Sequence, residues 1–232
     1  MRVMGEVPLL SLGIGTLGEK SLHRILKLYL EPNEELHEIP FLSSVADIKR
    51  EDGIYEIQTH STEKLLPKID KFLREERVCV VLPVISKKII RYFDSKTGEI
   101  SDPKVSPKRE NIFSAIGEIY KIRKFLCAEK FSVKLLFVEA EEYKMLAAAR
   151  GKRKIDLIPT SLVSEIDLKN ASDYLEFIKE FPQNSFSAKE LAKVNKCPKR
   201  FSSALAGVLH SLGIIQRVGK EKNAYVYKRT EL

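Results

Sequence analysis

"VADIKREDGIYEIQTHS", residues 45–61, is the stretch on which the reading of the chain turns. It places four acids, Asp47, Glu51, Asp52 and Glu56, around one glycine, with apolar residues alternating on either side. A period of two sends successive side chains to opposite faces of a strand. Ile54, Glu56 and Gln58 therefore share one face of the second strand, and Tyr55, Ile57 and Thr59 share the other. A two-residue turn at Asp52-Gly53 sets Asp47 opposite Gln58, with Glu56 diagonal to it. A shifted turn with an even number of loop residues still leaves Asp47 and Glu56 on one face. Carboxylates that close repel each other unless a counter-ion lies between them. A hard divalent cation takes oxygen ligands at about that span. Spacing alone equally suits two solvated acids on an antiparallel pair.

The flanking segments give these strands a setting. Upstream, "GIGTLGEKSLHRILKLYLEP" carries Leu22, Ile25, Leu26 and Tyr29 on one helical face, with Thr16 and Glu19 spaced as a capping box. "HEIPFLSS" reads as a strand before the quoted pair. Downstream, "STEKLLPKIDKFLREE" reads as a helix, and "RVCVVLPVI" as a strand buried on both faces. "KKIIRYFD-SKTG-EIS" suggests a hairpin, and "SPKRENIFSAIGEIYKIRKFL" a helix. "FSVKLLFVEAEEYKML" suggests a strand running into a helix. "AAARGKRKID" reads as a mobile loop, and "NASDYLEFIKEFPQNS" as a helix plus linker. The expected organisation is an α/β domain over residues 1–168, a linker helix at 169–182, and a small C-terminal domain at 183–232.

Charge separates these parts. From Gln183 onward the chain holds ten Lys/Arg against three acids, whereas the first 182 residues hold 30 against 29. A basic module on a neutral body points to a polyanionic partner. The chain is 44% hydrophobic, enough for a sizeable core. No apolar run reaches the roughly 18 residues of a membrane span. "MRVMGEVPLL" lacks the pattern of a signal peptide, and the three cysteines, Cys79, Cys127 and Cys197, form no CxxC or zinc spacing. A cytoplasmic protein with reduced, buried thiols is expected.

The basic module has a definite order. Ser187 caps "AKELAKVN", the turn "KCPK" follows, and a second helix carries Phe201, Leu205, Val208, Leu209 and Leu212 on one face before Gly213. Two short strands then flank "KEKN". This resembles a winged helix-turn-helix. Lys199, Arg200, Ser202 and Ser203 stand at the start of the second helix, where they would meet DNA, and the wing residues Lys220 and Lys222 would reach a phosphate backbone.

The order of elements around the quoted stretch resembles the core of the PD-(D/E)XK nuclease superfamily, a restriction-endonuclease-like mixed sheet flanked by helices. The strings "GIGTLGEKSLHRILK" and "DGIYEIQT", followed by a winged helix, resemble a bacterial family of such nuclease-like proteins, which brings no substrate with it. The resemblance implies that Asp47 and Glu56 bind Mg²⁺ or Mn²⁺. The Ile57 carbonyl would serve as a backbone ligand and Glu19 as a further acid from the first helix. It places Gln58 where the superfamily usually has a Lys that positions the attacking water. Gln58 is therefore a departure, as is the absence of a Pro before Asp47. An amide orients water but carries no charge. The implied function is metal-dependent hydrolysis of double-stranded DNA, with a homodimer supplying one site per strand. The alternative that Gln58 keeps open is a DNA-binding regulatory protein with a degenerate nuclease fold. A further alternative is a winged helix that pairs protein subunits.

Overall fold

The computed structural model describes residues 21–94, 97–147 and 151–230. "RVCVVLPVI" becomes the middle of a seven-stranded mixed sheet. Strands β1 (His37–Phe41), β2 (Ser44–Arg50), β3 (Gly53–Ile57), β4 (Val78–Asp94), β6 (Phe131–Ala147) and β7 (Gly151–Leu168) lie in that order, and β5 (Lys104–Val105) pairs with β4. β4 runs parallel to β3 and β6, and the other pairs are antiparallel. Parallel neighbours need crossovers, which contain α2 (Leu66–Phe72) and α3 (Ile112–Lys121). Both helices pack on one face, where Ile69, Phe72, Ile116 and Ile119 meet Ile54, Val80, Val133 and Leu135. α1 (Ser21–Leu30) covers the other face, with Leu22 and Leu26 on Ile48, Ile57, Val81 and Leu136. Each fully buried side chain of this kind contributes roughly 1.5–3 kcal/mol. Two hydroxyl contacts tie α1 to β7, Ser21 to Asp156 and Tyr29 to Glu165.

Pro83 stands inside β4 at no cost to the ladder. In a parallel pair the N–H and C=O of one residue face the same neighbour. The Val81 carbonyl accepts the Gln58 N–H (2.9 Å), so Pro83, two residues on, faces the same side, beyond the last paired residue of β3, Ile57. The missing N–H falls where no acceptor strand remains.

The turn between β2 and β3 is Glu51-Asp52 rather than the expected Asp52-Gly53, because Arg50 pairs with Gly53 and Ile48 with Tyr55. Gly53 starts the strand instead, at φ 137°, a conformation that L side chains rarely adopt. A Cβ there would lie 2.7 Å from the Arg77 carbonyl oxygen, which accepts the Ile54 N–H. Gly53→Ala is expected to cost roughly 2–4 kcal/mol in denaturant unfolding through strain and a lost close approach. An unchanged midpoint would mean that the strand start relaxes freely.

Other expectations are corrected by long-range pairing. "FSVKLLFVEAEEYKML" stays in strand β6 throughout and never turns helical. "AAARGKRKID" is the end of β6 and the beginning of β7 around residues 148–150, which lie outside the described set, so the loop reading fails for its described part. The hairpin expected at "KKIIRYFD-SKTG-EIS" is present: β4 extends to Asp94, and the return pairs antiparallel with it through Phe93 and Ile100 before the two-residue β5. "ASDYLEF" is a 3-10 segment capped by Asn170, and Ser61 makes no side-chain cap for the segment before α2. Cys127 is exposed rather than buried. The Thr16–Glu19 capping box and "GIGTLG" lie outside the described residues.

The C-terminal unit consists of α4 (Ala188–Val194), α5 (Ser202–Ser211) and a three-stranded sheet ordered β8 (Phe186–Ser187), β10 (Ala224–Arg229), β9 (Ile215–Glu221). Ser187 and Glu190 form a capping box at α4, and Gly213, at φ 72°, closes α5. Asn195, 2% exposed, accepts the Lys179 and Glu180 N–H groups and donates to the Glu180 and Leu191 carbonyls, joining the preceding segment to α4. One hydrophobic core runs from the sheet through α3 into α5.

Candidate active site

The site forms where the β2–β3 ladder stops. The last β2–β3 pair before the site is Ile48 with Tyr55; extending that register brings Asp47 opposite Glu56. The shifted turn keeps two loop residues, so the parity that puts the two acids on one face is retained. Their side chains take over the edge. The Ile57 N–H donates to Asp47 Oδ2 (2.8 Å), and the Asp47 N–H donates to Glu56 Oε1 (3.3 Å). Each carboxylate thus occupies a backbone donor on the neighbouring strand.

Lys68 and His23 reach this pair from opposite faces of the sheet. From α2, Lys68 Nζ lies 2.6 Å from Glu56 Oε2 and 4.0 Å from Asp47 Oδ1. From α1, His23 Nε2 lies 3.1 Å from Asp47 Oδ2. An ionised carboxylate only accepts, so Nε2 is the protonated nitrogen in that contact. Glu56 is 1% exposed, and the side chains of Asp47 and Lys68 are 16% and 22% exposed.

These surroundings push the two acids apart. Burial, and then the Asp47 charge, raise Glu56 to about 7 against the pull of Lys68. Burial also works against ionised Asp47, but the hydrogen bond and charge of His23, together with Lys68, outweigh it and hold Asp47 below its ordinary value. At neutral pH Asp47 is an anion and Glu56 lies close to its midpoint.

Gln58 follows on the same strand, but its side-chain amide donates to the Ser61 carbonyl (2.8 Å) in the next loop. The cation beside the carboxylates is instead Lys68, ten residues later on a crossover helix. The sequence alone left Lys68 unassigned. One signal marks Lys68: it directly precedes Ile69 in the apolar stripe Leu65, Ile69, Phe72. A lysine beside such a stripe lays its stem along the core and carries its ammonium to the edge, and Nζ lies 5.7 Å from the Phe72 ring centroid. Glu19, the expected third acid, lies outside the described residues. Among the described residues no group of three or more His, Cys, Asp or Glu could hold a metal ion. The carboxylate donors among the described residues of the site are Asp47 and Glu56, and Mg²⁺ commonly takes one or two carboxylates and keeps its waters.

In the C-terminal unit, Lys199, Arg200, Ser203, Lys220 and Lys222 are exposed. Ser202 is not: it is 6% exposed and its hydroxyl donates to the Lys199 carbonyl, which removes it from the outer surface. Cations stack on the rings beside them, Arg200 on Phe201 (4.7 Å), and Arg217 and Lys220 on Tyr225 (4.1 and 4.7 Å). No helix among the described residues is long and apolar enough to cross a membrane.

The sequence profile of one family, described as a domain of unknown function (DUF8091), matches residues 20–169, almost two thirds of the chain. The match takes in Asp47, Glu56 and Lys68 and ends before the C-terminal unit. No curated protein and no solved structure matches the chain.

Proposed function

This chain belongs to the DUF8091 family, and we propose for it metal-dependent hydrolysis of phosphodiester bonds in duplex DNA by a restriction-endonuclease-like domain, with a winged helix at the C-terminus. The observation that carries the reading is the buried pairing of Asp47 with Glu56 at the end of β3, with the Lys68 ammonium 2.6 Å from Glu56. A structural ion pair needs one acid. Two acids that raise each other's cost, served by one ammonium, suit a polyanionic reaction centre.

The donor set fits Mg²⁺ or Mn²⁺: hard carboxylate oxygens from Asp47 and Glu56, with the Ile57 carbonyl and Glu19 as the further ligands that the superfamily resemblance implies. Such a cation lowers the pKa of bound water and offsets charge on a phosphate. The protein's own part is positional. His23 and the Ile57 N–H fix the Asp47 carboxylate through Oδ2. Lys68 takes the role expected at position 58: its ammonium reaches both acids from α2, and beyond its bond to Glu56 it has further N–H donors for a phosphate oxygen or an attacking water. Gln58, tied to Ser61, serves the loop instead.

The test is cleavage of plasmid and linear duplex with Mg²⁺ or Mn²⁺, against a chelator control and the Asp47→Ala protein. Metal-dependent cutting by the wild type alone supports the assignment, and equal cutting by both proteins sinks it. Lys68→Gln is expected to slow cleavage about 10²-fold with duplex affinity unchanged. A matching loss of affinity would make Lys68 a binding residue instead.

A DNA-binding protein without cleavage is the second reading, favoured by the uncharged Gln58. It is the one that remains if the wild type shifts duplex DNA and never cuts it.

A further inference from the structure

The second helix of the basic unit does not present a clear face to a groove. At 100° per residue, Gly207 lies opposite Leu205 and Leu209, the residues α5 buries in its own core. That outward face is where a groove-reading helix needs open space. Here α3 covers it. A Cβ at Gly207 would lie 2.2 Å from the Tyr120 ring, and the Phe201 ring packs 3.6 Å from a Cβ placed at Gly117 of α3. The absent side chain at Gly207 is what lets the ring seat.

The seat carries charge. Arg123, exposed, stacks on Tyr120 with its guanidinium 4.0 Å from the ring centroid. One turn beyond Gly207, His210 packs edge-on to Tyr227 at 6.2 Å and feels the charge of Arg217. Arg217 and Lys220 in turn stack on exposed Tyr225. Successive contacts link these cations: Arg123, in the 3-10 turn after α3, stacks on Tyr120, Tyr120 sits on Gly207 of α5, and His210, one turn on, meets the β9–β10 hairpin that carries Arg217 and Lys220. Among the described residues none of these three has an acidic partner, whereas neighbouring Lys124 is taken by Asp70 (3.9 Å).

We propose that this linked strip is a composite surface for the sugar–phosphate backbone of duplex DNA, with Arg123, in the 3-10 turn just after α3, completing it and α5 staying outside the groove. The inference rests on the reading of the C-terminal unit as DNA-binding. Its occupant follows from charge complementarity: a row of cations on aromatic supports, without acidic partners among the described residues, matches a row of phosphates, and phosphate contacts carry no sequence information. Binding is therefore independent of sequence and steeply dependent on salt.

Fluorescence anisotropy with a roughly 20-base-pair duplex, repeated over a salt series with the full chain, tests this. Arg123→Ala is expected to weaken binding several-fold and to flatten the slope of log affinity against log salt by about one, as Arg217→Ala does. Full affinity in Arg123→Ala beside a loss in Arg217→Ala overturns the composite surface and leaves the DNA-binding unit standing. A wild type that binds no duplex at low salt overturns both. Gly207→Ala and Tyr120→Ala, the second adding no bulk, separate the roles of α5. Weaker or unchanged binding in Tyr120→Ala supports the strip. Tighter binding in either variant shows a groove helix held back by α3, and overturns the inference. Thermal melts of each variant confirm that the protein compared is folded.

Discussion

Asp47→Asn is expected to lower metal-dependent DNA cleavage by roughly a thousandfold while leaving the fold in place. The size follows from charge. A cation that polarises a phosphoryl oxygen contributes several kcal/mol of transition-state stabilisation, and each 1.36 kcal/mol is a factor of ten in rate. Asn keeps the volume of Asp and offers a carbonyl oxygen that accepts the Ile57 N–H, so the edge of β3 stays bonded. It loses the anion that His23 and Lys68 serve. The substitution carries a second signature at Glu56. The Asp47 charge is one of the causes that push Glu56 up to about 7, after burial. Removing it moves the Glu56 titration down, which carboxylate-resolved NMR reads directly. Cleavage near the wild-type rate in Asp47→Asn rejects the proposed chemistry, and an unmoved Glu56 titration rejects the coupling between the acids.

How much of this was legible in the sequence depends on how far each interaction reaches. The acid pair was, because strand parity survives an even turn shift: moving the turn from Asp52-Gly53 to Glu51-Asp52 changed the partner of Asp47 and not its face. The end of α5 was too, since Gly213 adopts the left-handed conformation that closes a helix. β6 was not. "EAEEYKML" is rich in helix formers, and local propensity argues for a helix. The strand is held by partners some fifty residues away: Lys87 with Glu139 (3.3 Å), Lys88 with Glu142 (3.0 Å) and Arg91 with Glu141 (2.9 Å) across the β4–β6 ladder. Glu142 is only 5% exposed and is shared by Lys88 and Lys144. Charge complementarity between two distant strands overrides propensity here, and no window on one strand contains it. Lys68 was missed for the same reason. The sequence showed a vacant charge at position 58, and only the crossover geometry of α2 shows which lysine lies beside Glu56. Ser202 shows a smaller failure of the same kind. Helical spacing placed it off the apolar face, but the 3-10 turn at Lys199–Phe201 that precedes α5 rotates its hydroxyl back onto the Lys199 carbonyl.

Glu56→Gln is expected to stabilise the protein with a dependence on pH that identifies the buried acid. The folded state raises Glu56 from an ordinary value of 4.5 to about 7, chiefly by burial and then by Asp47. A raised carboxyl means that the folded protein holds the proton more tightly than the unfolded chain. The stability linked to that proton is complete below pH 4.5 and is lost as pH rises through 7. Asp47 is shifted the other way, so its contribution is present above its unfolded value and fails only in acid, outside this window. Gln is the neutral form made permanent and has nothing to lose between pH 5 and 8. The gap in unfolding free energy between variant and wild type should widen across that range, by up to about 3 kcal/mol for a displacement of this size. Lys68 trims the gain, because it loses its partner, but at 22% side-chain exposure its ammonium can turn to water. The same substitution removes a carboxylate from the proposed reaction centre, so cleavage should fall as stability at pH 8 rises. That trade is expected where a fold holds a buried acid for chemistry rather than for its own stability. Parallel pH profiles for the two proteins in urea unfolding would count against it. They would mean that Lys68 fully neutralises Glu56, leaving an ordinary ion pair with no strain for function to draw on.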